Sequence, residues 1–218
     1  TAGFYRYMAL RHPVNRISKL VAKTSLVESP SLLSMSANIF NYKPVRSPKV
    51  DVKKIKRDGT RTAIVTTMKN EGPFILEWIA YHQAIGVEDF LVYTNDCSDG
   101  TDAMFDLLQA KGVLQHRQNP YKKMKIKPQH AAMRAAENEL LVQQADWLIC
   151  MDVDEFINIK VGNGRLEDLY KAVGDANLIS CTWRLFGNSD IHAFSEVPTI
   201  KMFTRCAPEF SPKPHQAW

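Results

Sequence analysis

Hydrophobic and polar positions alternate in a regular way from about residue 61 onward. Apolar, β-branched runs such as RTAIVTTM, DFLVYTN and DWLICMDV are typical of buried strands. Between them lie runs with helical spacing or composition, namely PFILEWIAYHQAIG, SDGTDAMFDLLQAKG and KPQHAAMRAAENELLVQQA. Strands and helices that alternate with short connections predict an α/β fold with an open, mostly parallel sheet and helices on both faces.

The remaining elements are shorter and less regular. VLQHR predicts a third strand, RLEDLYKAV a short helix, and ANLISCTWRLF and PTIKMFTR two later strands. The tail CAPEFSPKPHQAW has little periodicity. It leaves open whether the domain is truncated at its C terminus.

The N-terminal part of the chain has a different composition. Residues 1–61 hold 13 of the 28 Lys and Arg but only three of the 23 Asp and Glu. The net charge of +5 is therefore the sum of a basic N-terminal segment and an acidic remainder. We therefore predict a basic N-terminal extension over residues 1–58, with a helix in FYRYMALRHPVNRISKLVAKTSLV, and a domain over residues 59–218. The extension is either a solvated arm or a site of peripheral contact with an anionic membrane surface or a partner protein. Because the excess of basic over acidic residues is confined to this extension, we expect no nucleic acid partner.

Cysteine spacing and hydropathy limit the class of protein further. The four cysteines are widely spaced and form no CxxC pair, which argues against a zinc site or a thiol-redox motif and favours a reducing compartment. No apolar run approaches the roughly 20 residues that a membrane-spanning helix needs. We predict a cytoplasmic protein, with the inner face of the membrane as the alternative location.

Polar residues collect where the predicted strands end. Asn70 and Glu71 follow the first strand, Asn95 and Asp96 follow the second, and the acidic run DVDE begins at the end of the fourth. In open α/β sheets, ligands bind outside the carboxyl ends of the strands. These side chains are therefore expected to lie along one edge of the sheet.

The acidic run places two carboxylates close together. If the strand continues through it, Asp152 and Asp154 project to the same side and repel each other, because side chains alternate along a strand. A hard divalent cation relieves that repulsion. Mg²⁺ or Mn²⁺ typically uses one or two protein carboxylates and fills its other positions with water and phosphate oxygens. The pair thus predicts a metal ion that holds a nucleoside diphosphate; the alternative is one Asp that caps a turn while the others are solvated.

Other classes of protein with similar acidic strand ends fit less well. P-loop NTPases need a GxxxxGK[ST] loop, and no Gly-Lys pair occurs in the chain. Haloacid-dehalogenase-type phosphatases carry their DxD at the start of the domain, whereas this one comes late. MKNEGP holds a single glycine where a nicotinamide-binding domain needs GxGxxG, and DVDEF supplies too few oxygen ligands for an EF-hand.

The ordered series KNE, NDCSDGT, DVDEF and WRLFG, within residues 61–205, resembles the family 2-like glycosyltransferases. The resemblance implies a GT-A fold, which is a Rossmann-like α/β domain with a DxD motif, and a nucleotide-sugar donor, most simply a UDP-sugar, bound with Mn²⁺ or Mg²⁺. It implies a glycan or small-molecule acceptor and, by analogy alone, a setting in bacterial surface glycan synthesis. It also implies a set of site residues, namely Thr67, Asn70, Glu71, Asn95 and Asp96 near the nucleoside, Lys127 and Gln129 near the phosphates, Asp152 at the ribose or metal, and Asp154 and His215 as metal ligands.

The same resemblance implies a general base downstream of the DxD motif. In inverting relatives this base is a carboxylate that takes the proton of the acceptor hydroxyl as the diphosphate leaves. Asp190, which follows WRLFGNS, ranks first, and Glu196 and Glu209 are the other candidates. Trp183 and Phe186 are candidates for an acceptor wall. The alternatives are a non-catalytic domain of the same fold, which binds a nucleotide sugar or acts as a scaffold, and a nucleotidyltransferase.

Overall fold

The structure is a computed structural model that describes the backbone of residues 6–11 and, with their side chains, residues 60–181 and 183–207. Its strands are β1 Arg6–Arg11, β2 Thr62–Met68, β3 Asp89–Thr94, β4 Gln115–Gln118, β5 Trp147–Cys150 and β6 Leu178–Cys181. Its helices are α1 Ile75–Ile85, α2 Thr101–Ala110, α3 Tyr121–Met124, α4 Pro128–Ala136, α5 Leu140–Gln144, α6 Leu166–Val173 and α7 Thr199–Met202.

The strands form one six-stranded sheet in the order β4-β3-β2-β5-β1-β6. Strands β4, β3, β2 and β5 run parallel to one another, and β1 runs antiparallel to its neighbours β5 and β6. The parallel part has β2 and β3 at its centre, and both are buried almost throughout. The predicted α/β class and mostly parallel sheet are confirmed, and the arrangement is compatible with a Rossmann-like GT-A fold.

Helices cover both faces of the sheet, as the sequence predicts. Side chains alternate along β2, so that Ile64 packs with Trp78 of α1 and Phe105 of α2 on one face. Val65 packs on the other face with Ala132 of α4 and with α5. Each large apolar side chain buried in this way contributes about 1.5–3 kcal/mol relative to an exposed one.

Four local predictions are wrong. Residues 6–11 form a strand, where we expected a helix, because hydrogen bonds to β5 and β6 hold them extended. The long helix predicted over residues 127–145 is divided into α4 and α5. Thr199–Met202 forms a helical turn in place of a strand. Asp152 and Asp154 lie beyond the end of β5, in a turn.

The other predictions for the N-terminal segment are untested. The boundary near residue 58 lies outside the described residues, as does the rest of the helix predicted there, and peripheral membrane contact stays a prediction. Among the residues that the structure describes, no helix has the length and apolar character to cross a membrane.

Candidate active site

Three loops meet at the carboxyl edge of the parallel strands. They follow β3, β2 and β5, which are neighbours in the sheet. The end of β2 is level with the end of β3, because Met68 pairs with Thr94, and Val65 pairs with Cys150 at the end of β5. Parallel pairing therefore brings together the predicted polar clusters.

Hydrogen bonds lock the β2 loop to the β3 loop. Asn70 has a left-handed backbone (φ 57°), and its side-chain oxygen accepts the N–H of Ser98 at 2.8 Å. Asp99 accepts the hydroxyl of Thr101 at 2.9 Å and the N–H of Gly72 at 3.4 Å. The Thr101 hydroxyl oxygen in turn accepts the N–H of Glu71 at 2.9 Å. The amide of Asn70 thus holds the loops together, and its predicted contact with a nucleoside stays a prediction.

Asp96 is held by the segment that follows β4. Its backbone is also left-handed (φ 49°), and its carboxylate accepts hydrogen bonds from the Lys122 ammonium group at 2.5 Å and from the Tyr121 hydroxyl. The hydrogen bond from Lys122, followed by that from Tyr121, lowers the pKa of Asp96 below its ordinary value. Asp96 is therefore an ionised acceptor at the edge of the site.

The turn after β5 carries the acidic run and is tied to α1. The Glu155 carboxylate accepts the N–H of Asp152 at 2.9 Å. On the other side of the turn, the indole N–H of Trp78 donates to the carbonyl of Glu155 at 3.0 Å, and the Tyr81 hydroxyl donates to the carbonyl of Ile157 at 2.8 Å. One helix thus fixes two backbone carbonyls of this turn.

The two aspartates of this turn face outward. Met151 and Val153 are buried, whereas Asp152 is half-buried and Asp154 is exposed. The burial of Val153 thus leaves the carboxylates on either side of it near solvent, although neither lies within a strand. Of the two side chains, that of Asp154 is the more exposed to solvent.

Three carboxylates from the β3 and β5 loops act on Glu71 of the β2 loop. Burial raises the pKa of the half-buried Glu71 above its ordinary value, and the charges of Asp154, Asp99 and Asp152 raise it further. Negative charge therefore accumulates at this edge. Even so, no group of three or more His, Cys, Asp or Glu side chains within the described residues is arranged to bind a metal ion.

The remaining predicted donor residues border this edge. Thr67 and Asn95 are half-buried at the ends of β2 and β3, and Lys127 and Gln129 are exposed at the start of α4. Asn119 fixes the connection before α4, because its side chain accepts the N–H of Tyr121 at 3.1 Å and donates to the carbonyl of Pro128 at 3.0 Å. Contacts of these four residues with a donor stay predictions.

The candidate bases lie on the segment after β6. Asp190 sits in a turn (φ 61°), is exposed, and forms an ion pair with Arg205. Glu196 is exposed on the same segment, as are Trp183 and Phe186. Their catalytic or acceptor-binding roles stay predictions. His215 and Glu209 lie outside the described residues.

Sequence reasoning missed the residues that position the site. Trp78 is a core residue in a run with helical spacing, but its hydrogen bond to the β5 turn spans 77 positions. Tyr121 and Lys122 hold Asp96 across 25 and 26 positions. No local periodicity signals such pairings, so only the fold could reveal them.

Comparison with protein families identifies the family of this chain. The family model for glycosyltransferase family 92 matches residues 65–208, which include all three loops of the site. This chain belongs to glycosyltransferase family 92. The expected family 2-like assignment is therefore wrong at the level of the family, although it named the right kind of protein.

The matching members of family 92 are plant proteins and are longer than this chain. A family 92 protein of Arabidopsis thaliana is 33% identical over 108 residues, which cover 48% of this chain and 18% of the relative. A protein of Oryza sativa is 27% identical over 118 residues, 53% of this chain and 19% of the relative. One from Ricinus communis is 30% identical over 187 residues, 84% of this chain and 28% of the relative. The chain thus spans less than a third of the length of these relatives, and no solved structure matches it.

Proposed function

We propose that this chain is the donor-binding part of a metal-dependent glycosyltransferase that moves a sugar from a nucleotide sugar, most simply a UDP-sugar, to an acceptor hydroxyl. Membership of family 92 supports the class of reaction. The observation that carries the finer proposal is the meeting of Glu71, Asp99, Asp152 and Asp154 at the carboxyl edge of the sheet. A bound cation would relieve the repulsion between these negative charges at an edge where such sheets bind ligands.

Asp152 and Asp154 supply ligands of the kind that Mn²⁺ or Mg²⁺ takes, although no larger metal-binding group is arranged among the described residues. Carboxylate oxygens are the ligands that these hard cations prefer, and such ions take only one or two carboxylates when a substrate phosphate completes the shell. Asp154, which is exposed, and Asp152, which is half-buried, would hold the metal. When bound, the metal neutralises the charge that develops on the leaving diphosphate.

The chain's own residues would then orient the donor. Trp78 and Tyr81 bind two backbone carbonyls of the segment that carries the two aspartates, which would limit its movement before a ligand arrives. Asp96, which is kept ionised by Lys122, offers an acceptor to a ribose hydroxyl or a base N–H at the other side of the edge. Lys127, at the start of α4, would border the phosphates.

The proton of the acceptor hydroxyl needs a base on the segment after β6. Asp190 remains our first candidate and Glu196 the second, as in an inverting displacement. Since Asp190 is paired with Arg205, it can act only if an acceptor or donor draws the arginine away. The cytoplasmic location, with the inner face of the membrane as its alternative, stays a prediction from the sequence.

The experiment that tests the proposal is release of nucleotide from a panel of UDP-sugars in the presence of Mn²⁺ and simple sugar acceptors. We expect UDP release with at least one donor, and its loss when the metal is chelated or when Asp154→Asn is used. Binding of a UDP-sugar without any release would favour a non-catalytic domain. Pyrophosphate release from a nucleoside triphosphate and a sugar phosphate would favour a nucleotidyltransferase.

A further inference from the structure

The segment that follows β6, residues 184–207, folds back on itself. Phe186 pairs with Cys206 in an antiparallel bridge, and the N–H of Gly187 donates to the carbonyl of Arg205 at 2.9 Å. The Ser189 hydroxyl oxygen accepts the N–H of Arg205 at 3.2 Å. We call residues 184–207 the acceptor-side segment, because it carries the candidate bases Asp190 and Glu196.

Packing does little to hold the middle of this segment. Phe194, Val197 and Ile200 leave 67%, 49% and 48% of their surface exposed. A side chain exposed to this extent gains only part of the free energy that full burial provides. Directed polar contacts must therefore fix where this part of the chain lies.

One side chain of α1 supplies those contacts. The Glu77 carboxylate accepts the N–H of Thr199 at 2.7 Å and the N–H of Ile200 at 3.3 Å, across 122 and 123 positions of sequence. Within residues 60–181 and 183–207, no other hydrogen bond joins the acceptor-side segment to a helix of the α/β body. The two N–H groups belong to the start of α7, so they have no partner within their own helix.

Glu77 also lies close in sequence to the loop of Glu71 at the proposed donor site. It is the third residue of α1, and that helix begins four residues after Glu71. Glu71 senses the charges of Asp152 and Asp154. The helical turn that carries Glu77 thus directly follows the loop of Glu71, and its carboxylate holds the segment that carries Asp190 and Glu196.

We propose that Glu77 is a positioning residue that holds the acceptor-side segment against the donor edge of the site. The inference rests on the proposed function, since it assigns Glu77 a place in that reaction. Glu77 is not among the residues that we assign to the donor or the metal. Its loss should therefore spare donor binding while it displaces the segment.

Paramagnetic broadening by Mn²⁺ tests this directly. ¹⁵N-labelled protein is titrated with Mn²⁺ and UDP, with Mg²⁺ and UDP as the diamagnetic reference. In the native chain we expect broadening of the amides of Asp152–Asp154 and also of Thr199 and Ile200. In Glu77→Ala, the Asp152–Asp154 amides should still broaden, whereas broadening at Thr199 and Ile200 should be lost.

Two further measurements separate positioning from general damage. Hydrogen exchange at the Thr199 and Ile200 amides should be at least about tenfold faster in Glu77→Ala, because hydrogen bonds to a charged group are worth about 1.5–3 kcal/mol. Glu77→Gln keeps one acceptor oxygen and should show an intermediate rate. The affinity for Mn²⁺–UDP should stay within about twofold of the native value in both variants, as for sites with no shared ligand contact. Glu167→Ala, which removes an exposed helical carboxylate paired with Lys171, is the matched control and should change none of these.

The results distinguish the two proposals. If the native Asp152–Asp154 amides broaden but Glu77→Ala leaves broadening and exchange at Thr199 and Ile200 unchanged, the role of Glu77 is refuted and the donor site stands. If Mn²⁺ and UDP broaden no amide of Asp152–Asp154 in the native chain, the donor site is refuted. The role of Glu77 in the reaction is then refuted as well.

Discussion

A buried histidine beside the acidic turn makes stability depend on pH. His82 is fully buried on α1, its Nδ1 lies 2.8 Å from the carbonyl of Trp78, and its Nε2 has no hydrogen-bond partner within the described part of the chain. Its ring stacks on Phe156 of the β5 turn with the centroids 6.0 Å apart. Burial lowers the pKa of His82 from its ordinary 6.5 to about 4, because the charged imidazolium would lose its hydration.

The sign and size of the effect follow from linkage. The unfolded chain takes up a proton at His82 near pH 6.5, whereas the folded chain does so only near pH 4. The contribution to stability is therefore fully present above pH 6.5 and is lost as the pH falls from about 6.5 to 4. At 1.36 kcal/mol per unit of pKa shift, the total is about 3 kcal/mol, of which about 2 kcal/mol is lost by about pH 5.

The variant His82→Phe isolates this contribution, because it keeps an aromatic ring against Phe156 and removes the titrating group. Free energies of unfolding are measured by urea denaturation at pH 7.5 and pH 5 for both proteins. Other groups titrate in both proteins, so the quantity of interest is the difference between the two pH responses. We expect the native chain to lose about 2 kcal/mol more than His82→Phe over this interval.

His192→Phe is the matched control, since it removes an exposed imidazole by the same chemical change. It should leave the pH response of the native chain unchanged. If His82→Phe loses stability between pH 7.5 and pH 5 as steeply as the native chain, then His82 is hydrated or already charged at pH 5. The account of a neutral, buried ring behind the acidic turn would then be wrong.

Two further predictions concern the residues that hold the site. Tyr81→Phe removes the hydroxyl that donates to the carbonyl of Ile157. It should lower the free energy of unfolding, measured by urea denaturation, by about 1 kcal/mol. An unchanged midpoint of unfolding would argue against this hydrogen bond. Lys122→Met should raise the pKa of Asp96 toward its ordinary value, measured by NMR titration of the Asp96 carboxyl carbon. Lys123→Met is the control and should leave that pKa as it is; an equal rise in both variants would contradict the assigned ion pair.

The fold could be predicted from the sequence where periodicity reflects burial. Strand β2 is an example, because its side chains pack alternately on the two covered faces, and an uninterrupted apolar run is what that environment requires. The pairing of β1 was missed because it depends on partners more than 130 positions away along the chain. No local pattern in RYMALR distinguishes a strand added to the sheet from an amphipathic helix.

The candidate site, like the fold, could be predicted from the sequence only in part. That the loops of Glu71, Asp96 and Asp154 would meet followed from one rule, that parallel strands place their carboxyl ends at a common edge. The side chains that position them did not follow from any rule. Trp78, which binds the acidic turn, has the periodicity of a core residue, and Glu77 has that of an ordinary carboxylate in a first helical turn.

The central claim is that the carboxyl edge of this sheet binds a nucleoside diphosphate through a divalent cation held by Asp154 and Asp152. Isothermal titration of UDP into the native chain, with and without Mn²⁺, tests it most directly, with Asp154→Asn as the test variant and Glu167→Gln as a surface control. We expect UDP binding that requires Mn²⁺ and persists in Glu167→Gln. In Asp154→Asn, binding should be weakened at least about tenfold, because removing one ligand charge from a hard-cation site lowers its affinity. UDP binding of equal strength in Asp154→Asn, or no dependence on Mn²⁺, would contradict it.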